Sequence, residues 1–181
     1  MITFRPDWLQ FSVSQPDISV FQGFGLKPIE SGGAFHQKGL RGPGIQVNYD
    51  PKPNVKNWAM EVKITGQFFV LCPEGAGAIW ESFKALGYEL KISRIDYCYD
   101  IIGTYGHSLP FGIFRDDFVV KEFYRRAFFK SYDNIDGRWT GLRLGKNDVA
   151  LRIYDKLEET GLENSPGLFT EWWRLIVTGK L

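Results

Sequence analysis

Cysteine is scarce: Cys72 and Cys98 are the only two in 181 residues. They are far apart and lack histidine companions, which excludes a structural zinc cluster or a disulfide framework and leaves buried free thiols in a reducing compartment. Histidine is equally sparse, with His36 and His107 in loops, so no paired-histidine metal site is expected. No run approaches the ~18 apolar residues of a membrane span. The opening Met1-Ile2-Thr3-Phe4-Arg5-Pro6-Asp7 lacks the basic-then-apolar pattern of a signal peptide. A soluble cytoplasmic protein without a membrane partner follows. Charge of one sign is missing too: the net charge is +1, so composition alone announces no polyanionic partner.

What is present is material for a packed sheet. Hydrophobic residues make up 44% and aromatics 16%, enough for a proper core in one domain. Core packing accounts for most of the aromatics, although base stacking would use them as well. The charges are unevenly spread: residues 121–156 hold nine Lys and Arg against five Asp and Glu. A run like this is ordinarily solvated surface.

Alternation in Trp8-Leu9-Gln10-Phe11-Ser12-Val13 predicts a half-buried strand. Glycine-rich 23–44 predicts turns and a short hairpin, and 45–49 a strand closed by Pro51 and Pro53. Residues 58–71 read as a strand, or two strands bent near Thr65-Gly66. Pro73 and Glu74 open a helix whose Ile79, Phe83 and Leu86 form an apolar stripe, with Gly87 as its stop. A strand follows over 91–102, a second helix over 116–130, and a hairpin pairs 138–144 with 149–156. A last helical or extended piece covers 169–177. The expected class is α+β: an antiparallel sheet with helices packed on one face and a polar, open face carrying the active site.

Three strands place polar groups on that open face. One brings Glu61, a second Arg94, Asp96 and Asp100, and a third Arg152, Tyr154 and Lys156. On the second strand Ile95, Tyr97, Tyr99 and Ile101 make the opposite, inward set. Carboxylates from neighbouring strands can hold a divalent cation, which would polarise a phosphate, while a tyrosine attacks phosphorus and basic groups neutralise the transition state. Asp96 and Asp100 are four residues apart, about 13 Å along one strand, too far to share an ion. Asp96 with Glu61 is the better ligand pair, and Asp100 is left to anchor a loop or orient a basic residue.

Three blocks resemble the replication initiation factor family (Rep_trans), the initiators of rolling-circle plasmid and phage replication. They are "WAMEVKITGQFF" at 58–69, "RIDYCYD" at 94–100 and "GLRLGKNDVALRIYDKLE" at 141–158. Each is weak alone; their order and spacing make the set specific. The resemblance implies a single nicking and strand-transfer domain of relaxase-like type over residues 1–181. Tyr154 would be the nucleophile, Arg152 and Lys156 the phosphate contacts, and Asp96 with Glu61 the ligands of Mg²⁺ or Mn²⁺. It implies site-specific cutting of origin DNA, single-stranded or in a hairpin, through a covalent 5′-phosphotyrosine, followed by rejoining without ATP. A host helicase and a homodimer are left open as further partners.

The chain departs from the family pattern near its end. "WWRLIVTGKL" has Ile176 where an acid is expected, and the usual C-terminal region is lacking. That keeps a second reading alive, a non-catalytic DNA-binding remnant or replication regulator of the same fold. A relaxase for conjugative transfer would use the same chemistry and is not separable by sequence.

Overall fold

The computed structural model describes residues 2–53, 58–103, 130–133, 139–146, 149–155 and 171–180. Among these, the elements in chain order are β1 (Ile2–Val13), β2 (Lys27–Ile29), β3 (His36–Gly42), β4 (Ile45–Pro51), β5 (Met60–Thr65), α1 (Gly66–Leu71), α2 (Gly75–Ala85), β6 (Leu90–Gly103), β7 (Lys130–Asp133), β8 (Trp139–Lys146), β9 (Val149–Asp155) and β10 (Glu171–Lys180). The ladders β2/β3, β3/β4, β4/β5, β1/β5, β7/β8, β8/β9 and β9/β10 are antiparallel. The class is α+β and dominated by sheet. No helix among the described residues is long and apolar enough to cross a membrane.

The chain divides into two compact units, Pro6–Ile95 and Met1–Arg5 with Asp96–Lys180; β1 and β6 contribute residues to both. In the unit formed by Pro6–Ile95 the strand order is β2-β3-β4-β5-β1-β6. Alternation does what the sequence promises on β5, where Met60, Val62 and Ile64 are buried and Glu61, Lys63 and Thr65 are not. Phe11, Val13, Ile45 and Val47 join them, and Ile79 and Phe83 of α2 close the core. Phe83 is fully buried, meeting Phe21 and Phe11 edge-on at centroid distances of 5.7 and 6.4 Å. Burial of such a ring contributes roughly 2–3 kcal/mol.

Two local elements differ from the sequence expectation. Residues 66–71 form α1 rather than the end of a strand. On its β4 side the β5 ladder ends at the hairpin turn, where Thr65 N–H donates to Gly44 O at 2.8 Å and β4 itself begins only at Ile45. Leu86 is 49% exposed because α2 ends one residue before it, so only Ile79 and Phe83 of the expected stripe are inside. The helix expected over 116–130 lies outside the described residues, apart from Lys130, which starts β7.

The β3–β4 turn depends on glycine. Pro43 precedes Gly44, whose φ of 71° is the left-handed value required at the second centre of a type II turn. A Cβ on Gly44 would lie 2.3 Å from Phe68 N. Gly44→Ala is therefore expected to cost about 1–3 kcal/mol, from backbone strain together with displacement of α1. Gly33→Ala, at φ 83° with no atom within 4 Å, supplies the strain-only comparison. Urea midpoints for the two variants should differ, and equal midpoints would show that α1 yields freely.

Candidate functional site

In the unit containing Asp96–Lys180 the order is β1-β6-β10-β9-β8-β7. The expected hairpin is present as β8 and β9, and the final segment is strand β10, lying between β6 and β9. Position 154 on β9 is directly opposite Gly141 of β8 on one side and Arg174 of β10 on the other. Position 152 is likewise opposite Arg143 and Ile176. Residues facing each other across a ladder stand on one side of the sheet, so positions 152, 154, 174 and 176 share a face.

Arg174 fixes what lies on that face. It is 6% exposed, and its Nε and Nη2 donate to the two oxygens of Asp100 at 2.6 and 2.8 Å. Arg5 adds a contact to the same carboxylate at 3.3 Å. Asp100, 3% exposed, thus does orient a basic residue, and does so with the forked geometry that suits guanidinium and carboxylate. Asp96 (2%) and Cys98 (0%) are buried on the same side of β6. Ile176, 8% exposed, packs with Cys98.

The two sides of β6 are therefore the reverse of the sequence expectation. Asp96 and Asp100 are covered, whereas Tyr97 and Tyr99 are 36% and 41% exposed, with Phe4 stacked on Tyr97 at 5.3 Å and tilted against Tyr99 at 4.6 Å. The physical reason is pairing: two guanidiniums neutralise Asp100, so its burial is tolerated, while the two tyrosines share the Phe4 ring as an aromatic partner. Arg152 is exposed, and Lys156 lies outside the described residues.

Glu61 sits on the polar side of the other unit. Its Oε1 accepts from Gln10 at 2.6 Å, and its Oε2 from Asn48 at 2.9 Å and from Lys63 Nζ at 2.9 Å. Burial pushes its carboxyl upward, but the hydrogen bonds from Lys63, Asn48 and Gln10 outweigh this and hold it below the usual glutamate value. The strand carrying Asp96 is not the neighbour of β5 that the sequence reading assumed, since β1 stands between β5 and β6. Among the described residues no three metal-ligating side chains cluster. Both carboxylates have the hard-oxygen chemistry a divalent ion prefers, and Glu61, which accepts from three donors, would bind an ion only by releasing Lys63 or Asn48.

A depressed folded-state pKa adds stability above the unfolded value and loses it as pH falls through the folded one. Wild type should therefore show a component of acid destabilisation below about pH 4.5 that Glu61→Gln lacks. Urea midpoints between about pH 6 and 3 would reveal it, and parallel curves would refute it.

The sequence matches no protein-family model and no curated protein. The structure does find a counterpart, a rolling circle replication initiator protein from Geobacillus stearothermophilus, with a TM-score of 0.65. The two chains share a fold. Their sequences are 19% identical, and the match covers 99% of this chain and 75% of the other.

The sequence anticipated that Asp100 would orient a basic group but did not identify Arg174 or Arg5 as its partners. The signal was faint: an arginine within an otherwise apolar stretch of "WWRLIV" is a charge that must find a counterion once buried.

Proposed function

We propose that this chain cuts and rejoins single-stranded DNA as a rolling-circle replication initiator, with Tyr154 as nucleophile. The observation that supports it most strongly is the coincidence of shape and motif. A chain sharing its fold with such an initiator carries Arg-Ile-Tyr-Asp-Lys on β9, with the tyrosine in register with Arg174, which Asp100 holds. In the proposed reaction the Tyr154 oxygen attacks a backbone phosphorus and its proton passes to solvent. The phosphorus–O3′ bond breaks, leaving a 5′-phosphotyrosine and a free 3′-hydroxyl. Reversal, with a 3′-hydroxyl attacking phosphorus and tyrosine leaving, rejoins the strand. The linkage retains the energy of the broken diester, so no ATP is consumed.

Arg152 and Lys156 are proposed to contact the phosphate and offset its growing negative charge. A divalent ion, Mg²⁺ or Mn²⁺, would polarise the phosphate when bound; Asp96 is its proposed ligand, and Glu61 joins only by exchanging its present partners. Origin DNA is the proposed partner.

Ile176 favours a second reading. The family's acid is absent at that position, and the isoleucine is buried beside Cys98. A remnant of the fold that binds DNA without cutting it would look like this. The deciding experiment incubates the protein with oligonucleotides carrying candidate origins, with Mn²⁺, Mg²⁺ or EDTA, and resolves covalent adducts on a denaturing gel. A metal-dependent adduct, mapped by mass spectrometry to the peptide containing Tyr154, is expected. Binding with no adduct on a verified origin would establish the remnant.

A further inference from the structure

The polar side of the unit formed by Pro6–Ile95 carries a cavity of about 320 Å³, at the small end of ligand-sized pockets. The Pro43-Gly44 turn, Trp8, Arg41, Lys63, Gln46 and Gln67 line it. Two cations line it and no acid does. Three features give it the character of a built site.

A continuous relay of hydrogen bonds fixes both cations. Arg41 donates from Nε and Nη2 to Gln46 Oε1 at 3.2 and 2.7 Å, and Gln46 donates to Asn48 at 2.8 Å. Asn48 in turn donates to Glu61, which pairs with Lys63 at 2.9 Å. Ladder register places Arg41, Gln46 and Lys63 in one row across β3, β4 and β5. The two cations are therefore roughly two strand spacings, about 10 Å, apart at their backbones, and long side chains converge easily over that span. Arg41 retains N–H donors beyond the two that Gln46 engages, since a guanidinium has five. The indole of Trp8 is pinned by Arg94, whose guanidinium carbon lies 4.9 Å from the ring centroid.

Two cations beside a fixed aromatic wall, with amides in reach, match the chemistry of a phosphodiester attached to a flat base. We infer that this cavity holds one nucleotide of single-stranded DNA, its phosphate between Arg41 and Lys63 and its base against Trp8. The choice of DNA rests on the strand-transfer reading above; the cavity itself is separate from the Tyr154 strand and binds whether or not the DNA is cut. It anchors the strand independently of the chemistry.

Affinity for a fluorescent single-stranded oligonucleotide, measured by anisotropy across a salt series in a Tyr154→Phe background, tests this without cleavage. Arg41→Ala is expected to weaken binding about tenfold and to lower the salt slope by about one, and Arg41→Glu to weaken it further. Both leave the melting temperature unchanged, because Arg41 is exposed. Lys84→Ala, on α2 at the opposite, apolar side, should bind as the parent does. Unaltered affinity and slope in both Arg41 variants would overturn the inference while leaving the nicking proposal intact. So would a loss in Lys84→Ala equal to that in Arg41→Ala, which marks diffuse charge rather than a site. Failure of the parent to bind any oligonucleotide would sink both proposals together.

Discussion

Tyr154→Phe is expected to abolish the covalent adduct and to slow strand cutting by on the order of 10³-fold or more, with little effect on folding or DNA affinity. The substitution removes one oxygen. If that oxygen forms the bond to phosphorus, what remains is slow attack by water, which leaves free 5′-phosphate and no linkage to protein. Rejoining disappears with it, because the energy of the diester is lost to hydrolysis. Affinity for an uncut oligonucleotide should stay within about threefold, since phenylalanine keeps the ring. An adduct that persists would disprove the assignment and would direct attention to Tyr132. That residue is opposite Gly141, which is itself opposite Tyr154, so the two tyrosines share one ladder row two strands apart.

Sequence periodicity revealed the elements better than their neighbours. The alternation of Met60, Val62 and Ile64 located β5 and its inner face, and Ile79 with Phe83 located the inner side of α2. The hairpin of β8 and β9 followed from its glycine- and asparagine-bearing turn. Alternation cannot say which strand lies beside which. β1 stands between β5 and β6, and β10 between β6 and β9. Both arrangements join segments far apart in the chain, and no local pattern encodes them. The misassigned faces of β6 have the same origin. "RIDYCYD" shows two distinct sides, but the buried one is decided by Arg174, 74 residues further along, which takes up the charge of Asp100. The polar row nearest Tyr154 was therefore legible as residue types and illegible as geometry.

Removing that partnership should have the largest effect on stability. Asp100→Ala leaves the guanidinium of Arg174 buried at 6% exposure without its carboxylate, a loss of about 3–5 kcal/mol. At a few degrees per kcal/mol for a chain of this length, the melting temperature should fall by roughly 10–15 °C. Arg5→Ala should cost far less, since that side chain is 28% exposed and its contact is 3.3 Å. The cost of Asp100→Ala comes mainly from taking a carboxylate away from a buried charge rather than from losing a favourable bond, so removing both charges should be milder than removing one. Asp100→Leu combined with Arg174→Met is expected to recover most of the stability in urea denaturation, and a double variant as unstable as Asp100→Ala would refute the stranded-charge account. The same double variant separates fold from function. Arg174 is opposite Tyr154 in the ladder, and if its charge positions DNA for attack, the repaired protein folds yet forms little adduct. Full recovery of adduct formation would reduce the pair to a structural clamp.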